Sequence, residues 1–129
     1  MALPRLHCVS GAVDVADILT TVAAANTLVK ADKSKRYKIV DVNIRAIGGD
    51  AAASTTIQVT NGVEVAWSAG TTDIDEDVIM RADTANVTAT HLGHWGAADT
   101  PIALIRTGIE TTTAVTIDYV VYYLVEGCN

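Results

Sequence analysis

Apolar and polar residues alternate with a period of two along most of this chain, the spacing expected of strands that turn one face to a core. From about Arg36 to Ile47, Val40, Val42, Ile44 and Ala46 fall on one side and Asp41, Asn43 and Arg45 on the other. That pattern predicts a strand with one buried face. Gly48, Gly49 and Asp50 end it, and a small-residue link leads to a second alternating run, Ile57 to Trp67, broken by Asn61-Gly62. Asn and Gly both tolerate positive φ, so this run predicts a β-hairpin closed by a type I′ turn. Ile57 and Val59 on one strand, and Val63, Val65 and Trp67 on the other, are its expected core side.

Beyond a turn at Ser68 to Asp73, Val78 to Met80 and Val87 to Thr90 are short strand candidates separated by a polar bend. Pro101 opens another at Ile102 to Thr107, a position where the missing N–H costs the ladder nothing. The last run, Ala114 to Glu126, is the most apolar. Val115, Ile117, Tyr119, Val121, Tyr123 and Val125 line one face, while Val120, Tyr122 and Leu124 lie on the other. A strand that is apolar on both faces is either central in a sandwich or covered outside by another subunit. Asp14 to Val29 reads either as a short amphipathic helix or as weak strands. Thr20, Thr21 and Val22 disfavour the helix and favour extended structure with an arm-like N-terminus.

Seven or eight short strands with turns between them predict an all-β, single-domain, jelly-roll-like antiparallel β-sandwich with an extended N-terminal arm. Residues 1–30 would form the arm and first weak strands, and 31–129 the sandwich core. Composition agrees with one folded domain: 129 residues, half of them hydrophobic and 19% charged. Ala, Val and Ile dominate the apolar half, and there is no Phe. Such a core buries few large side chains, so association with other subunits could add stability. A net charge of −6 repels a phosphate backbone, which argues against nucleic-acid binding. The basic cluster Lys30, Lys33, Lys35, Arg36 and Lys38 lacks interleaved aromatics and reads as a solvated rim or a contact for an acidic partner. Neither a secretory signal nor a long apolar run is evident, so the expectation is a soluble chain made in the cytoplasm, without membrane contact. Cys8 and Cys128 read as free thiols, with a clasp joining the termini or a bond between subunits as the alternatives.

Candidate chemistry is sparse. His91 and His94 flank a glycine-containing loop beside Trp95 and could supply two zinc ligands where three or four are needed. Asp73, Asp75, Glu76 and Asp77 could hold calcium but lack the spacing of a calcium-binding loop. No serine sits in a nucleophile elbow, and no phosphate-cradling glycine motif is present. The expectation is a non-enzymatic protein without cofactors. Exposed aromatics remain as binding candidates, with Tyr122 set apart from Tyr119 and Tyr123 by its face of the strand.

Tyr37 to Gly49 at one end and Thr116 to Glu126 at the other, with Ala/Thr-rich strands and the stretch Arg81 to Thr88 between them, resemble small jelly-roll head-decoration (cement) proteins of tailed bacteriophages. The resemblance implies a structural virion protein, made in the host cytoplasm, that binds the outer face of a phage head. It also implies the major capsid protein as partner and a homotrimer as the binding form. Leu3, Leu6, Val9 and Val13 of the arm, Lys33, Lys35 and Arg36 of the basic rim, and Tyr122 and Leu124 of the last strand are the interface candidates. A carbohydrate- or receptor-binding jelly-roll module of a phage tail or baseplate is the competing expectation, with Trp67, Trp95 and His94 around its site.

Overall fold

A computed structural model describes residues 4–51, 56–62, 65–84, 86–108 and 114–127. Eight strands form two antiparallel sheets: β1 (Arg5–Asp14), β2 (Thr27–Val29), β3 (Lys35–Ile47), β4 (Thr56–Thr60), β5 (Val65–Gly70), β6 (Val87–Thr88), β7 (Ile102–Thr107) and β8 (Thr116–Gly127). One sheet has the order β1-β8-β3 and the other β2-β7-β4-β5-β6. The chain changes sheet from β1 to β2, β2 to β3, β3 to β4 and β7 to β8. The resulting order, 1-8-3 facing 2-7-4-5, is that of a jelly roll.

Asp14 to Val29 is extended apart from two single 3-10 turns, Val15–Asp17 and Ala24–Asn26. Arg5–Asp14 and Thr27–Val29 are therefore strands of the sandwich itself. β1 pairs with β8 along its whole length, from Arg5 opposite Val125 to Asp14 opposite Thr116, while β2 joins the other sheet beside β7.

The core lies between the sheets. Ile39, Val42, Ile44, Ala46, Ile117 and Val121 from the first sheet meet Ile57, Val59, Trp67, Ala69, Ile102 and Leu104 from the second. Alternation in β3 is interrupted once. Ile39 pairs with Tyr123 and Asp41 with Tyr122, so Val40 is an extra residue in a β-bulge. The bulge reverses the phase, and Tyr37 and Ile39 before it face the core together with Val42, Ile44 and Ala46 after it. Simple alternation from Val40 therefore placed that one residue on the wrong side. Val115 also departs from its predicted face and is exposed, because regular pairing of β8 begins one residue later.

The hairpin forms with a longer connection than predicted. Thr60 pairs with Val65, so four residues separate the paired positions, and Asn61 keeps a negative φ while Gly62 is at 136°. Asn61 has another task. Its buried amide donates to the Tyr37 carbonyl at 2.9 Å and to the His94 carbonyl at 3.0 Å. The Gly96 N–H donates to that same Tyr37 carbonyl. A side chain at Gly96 would collide with the Asn61 main-chain oxygen, so glycine is required there. One amide thus ties the hairpin, β3 and the loop before β7 together. Of the other predicted core residues of the hairpin, Val65 is only half-buried, because the register shift beside Thr60 turns Ala66 inward instead, and Val63 lies outside the described residues.

Asn61→Ala should cost about 1–3 kcal/mol, the usual penalty for removing one partner of buried hydrogen bonds, since the His94 carbonyl loses this donor and the Tyr37 carbonyl keeps only the Gly96 N–H. Urea denaturation of the two proteins measures the difference, with the midpoint lowered and the slope unchanged.

Candidate interaction surface

The register of the three-stranded sheet determines which side chains share its outer face. Across β1, β8 and β3 the rows read Leu6–Leu124–Lys38, Cys8–Tyr122–Asp41, Ser10–Val120–Asn43 and Ala12–Asp118–Arg45. An apolar column, Val120, Tyr122 and Leu124, therefore runs up the middle strand. Small or apolar residues of β1 flank it on one side and polar residues of β3 on the other. Leu6 at one end of the face is 65% exposed, and Ile79, beside Ser10, Ala12 and Asn43 toward the other end, is 47% exposed. These values are high for large apolar side chains gathered near one face.

Two ion pairs bind the β3 margin to β8. Arg36 reaches Glu126 at 2.6 Å and Arg45 reaches Asp118 at 3.1 Å. All four side chains remain about one-third or more exposed, so the pairs orient the rim more than they stabilise the fold. At the Arg45–Asp118 end the face dips into a trough of about 550 Å³, lined by Ser10, Ala12, Asn43, Ile79, Asp118 and Val120 among others. The Asn43 Oδ1 atom is buried and accepts no hydrogen bond. At the other end of the face, the Arg36 guanidinium lies 4.9 Å and the Lys38 ammonium 4.8 Å from the centre of the Trp95 ring. Such cation–π contacts hold cationic side chains over an aromatic face. Trp95 is brought there by its bridge to Lys38.

The predicted interface residues divide accordingly. Leu6, Arg36, Tyr122 and Leu124 share the outer face. Lys33 and Lys35 lie beyond its end, where Lys35 pairs with Asp32 at 3.7 Å. Asp32 also accepts from the Ser34 N–H and hydroxyl, both at 2.8 Å. These two bonds, with Lys35 adding a smaller effect, hold its carboxyl below the usual aspartate value. Val9 is half-buried and faces inward, and Val13 belongs to the core. Neither is available to a partner on the outer face, because alternation along β1 turns odd-numbered residues in. Leu3 lies outside the described residues, as does Cys128, so the proposed pairing of Cys8 with it does too. Cys8 itself is exposed on β1.

The chemical candidates do not converge. The rings of His91 and His94 pack edge to face with centroids 5.3 Å apart. No group of three or more His, Cys, Asp or Glu side chains placed to hold a metal ion occurs among the described residues. Asp75, Glu76 and Asp77 point into solvent, and the Glu76 N–H is held by Asp50 at 2.7 Å. Trp67 is fully buried in the core, so the surface of Trp67, Trp95 and His94 expected of a sugar-binding module is not assembled. Sequence reading missed the cation–π contact over Trp95, the orphaned Asn43 oxygen and the Ile79 wall. The even-numbered apolar positions of β8 were the one signal pointing to this face.

No family model and no curated protein matches this chain.

Burial raises the hydroxyl pKa of Tyr37, Tyr119 and Tyr123 above the ordinary value of 10.0, with Asp32 adding to the effect at Tyr37 and Cys8 at Tyr123. Their neutral forms are favoured by the fold and not by the unfolded chain. That stabilisation is complete below the ordinary tyrosine range and is lost as pH rises through and beyond it. Near-ultraviolet absorbance should show these tyrosines ionising late, together with loss of β-sheet circular dichroism. Ionisation of all of them at the ordinary value with the sheet signal intact would contradict this.

Proposed function

We propose that this chain is a structural virion protein of the head-decoration kind, which binds the outside of a phage head through the outer face of the β1-β8-β3 sheet and stabilises it. The observation that carries the reading is the apolar column Val120, Tyr122 and Leu124, continued by exposed Leu6 and bounded by oriented charge pairs. An apolar centre inside a polar rim is the anatomy of a protein–protein contact. Aromatic and arginine side chains dominate the energetics of such contacts, and here Tyr122, Trp95 and Arg36 occupy that face or its end. The resemblance noted at the two ends of the chain supplies the partner, the major capsid protein, and the trimeric binding form. The acidic balance of the chain supports a protein partner over a nucleic acid.

The test is co-sedimentation with assembled heads of the phage that carries this gene. The wild-type chain should bind to saturation in multiples of three per site cluster. Tyr122→Asp or Leu124→Asp should weaken binding by more than about tenfold, the effect of roughly 1.4 kcal/mol. Val22→Asp, an equally drastic change at an exposed loop residue, should leave binding intact. Wild-type binding unaffected by either outer-face change would contradict the assignment, as would a folded chain with no affinity for heads.

A further inference from the structure

The two long margins of the three-stranded sheet are treated differently. Along β3, the outward main-chain groups are occupied: Ile44 exchanges hydrogen bonds with Met80, the Ala46 carbonyl accepts from Asp77, and the Ile39 and Tyr37 carbonyls accept from Gly93 and Gly96. This outward pattern sets the phase of the whole sheet. If Ile44 and Ala46 bond outward, then Asn43 and Arg45 bond β8 at Val120 and Asp118. Tyr119 and Ile117 must then bond β1 at Gly11 and Val13. The groups left pointing away from the sheet are the N–H and C=O of Leu6, Cys8, Ser10 and Ala12. None of them is bonded by another segment among the described residues. Edge strands are normally blunted by lysine, proline, a bulge or a covering loop. From Arg5 to Asp14 there is no lysine, no proline and no shift in register.

We infer that β1 pairs edge to edge with β1 of a second copy of this chain, antiparallel about a two-fold axis at Val9, joining two three-stranded sheets into one of six strands. The strand is self-complementary in that register. Leu6 faces Ala12 of the second copy and Cys8 faces Ser10, all four through their unused main-chain groups. His7 faces Gly11, and Val9 meets its own symmetry mate. The only charges sit at opposite ends, Arg5 and Asp14, so antiparallel pairing brings unlike charges near each other, whereas parallel pairing would align like with like. Registers centred on Cys8 or Ser10 leave one end unpaired or set Leu6 against Asp14.

The inner face fits as well. A Cβ on Gly11 would lie 2.8 Å from the Tyr119 hydroxyl, so glycine lets Tyr119 lean over β1 toward the open margin. His7, stacked on Tyr123 with ring centroids 5.4 Å apart, lies opposite that glycine in the second copy. Pairing therefore brings the Tyr119 hydroxyl of each copy toward the His7 ring of the other. Main-chain hydrogen bonds supply the affinity in strand addition, so a broad apolar interface is not needed. The outer face stays open, and this contact stands independently of head binding. Where the chain is trimeric, the contact joins two trimers.

Val9 is inward-bonded, so its cross-axis pair is of the non-hydrogen-bonded kind, with Cα atoms about 4.5 Å apart, within disulfide reach. In a Cys8→Ser, Cys128→Ser background, Val9→Cys should oxidise rapidly with copper–phenanthroline to a disulfide-linked pair on a non-reducing gel. Ala12→Cys in the same background should not, because its mate lies six residues along the strand. Equal cross-linking of both, or of neither, overturns the register. Sedimentation equilibrium of the uncross-linked protein gives a second reading. Ser10→Pro removes an outward N–H that the single chain does not use, and should halve the mass while preserving the circular dichroism spectrum. Unchanged mass would overturn the pairing. Loss of head binding in Ser10→Pro, with no change in mass, would assign the edge to the shell protein instead. Tyr122→Asp should abolish head binding and leave the cross-link intact, so the two readings fail separately.

Discussion

β8 lies between β1 and β3 for nearly all its length, and the rest of the molecule is arranged around that position. Its main-chain groups are divided between two neighbours, even-numbered residues bonding β3 and odd-numbered residues bonding β1. The same alternation sends Ile117 and Val121 into the core and Val120, Tyr122 and Leu124 outward. A strand held this way cannot slip by one residue without exchanging its faces. Its register therefore decides both what is buried and what is offered to a partner.

The second sheet closes the core over the inward half of β8 with Trp67, Ile57, Val59, Ile102 and Leu104, all fully buried. With no phenylalanine available, the core is built mainly from β-branched residues and alanine around one tryptophan, and polar ties supplement it. Asn61 links three segments through two carbonyls, and the Tyr37 hydroxyl donates to the Lys30 carbonyl at 2.8 Å. With β8 as the central strand, its outward side chains Val120, Tyr122 and Leu124 are only partly covered by the described residues. The same sheet ends at β1 in a margin of unused hydrogen-bonding groups. The two proposed contacts use these two features, by different chemistry and on different sides of the sheet.

Much of this was legible in the sequence. Period-two alternation located β3, β4, β5, β7 and β8, and the two-faced character of β8 pointed to Tyr122 and Leu124. The misreadings have local causes. The bulge at Val40 leaves no mark in composition, because the extra residue is as apolar as its neighbours. Asn61-Gly62 has the composition of a tight turn, yet Asn61 serves long-range hydrogen bonds instead. Val9 and Val13 looked like arm residues because nothing in β1 alone reveals that β8 is its partner. Trp67 stood on the expected core side of the hairpin, and its place opposite Val59 in the core removes it from the competing sugar-binding site. The cluster over Trp95 depends on a bridge between residues 57 positions apart, Lys38 and Trp95, which no local pattern encodes.

The central claim is that the β1-β8-β3 sheet is the face that meets other proteins. Amide hydrogen exchange, read by mass spectrometry on the free chain and on the chain bound to assembled heads, tests it most directly. The account predicts added protection in peptides covering Arg5–Asp14 and Thr116–Gly127, with β4 and β5 unchanged. Protection confined to β5, β6 and the loop around His91 and His94, with the three-stranded sheet unaltered, would contradict it.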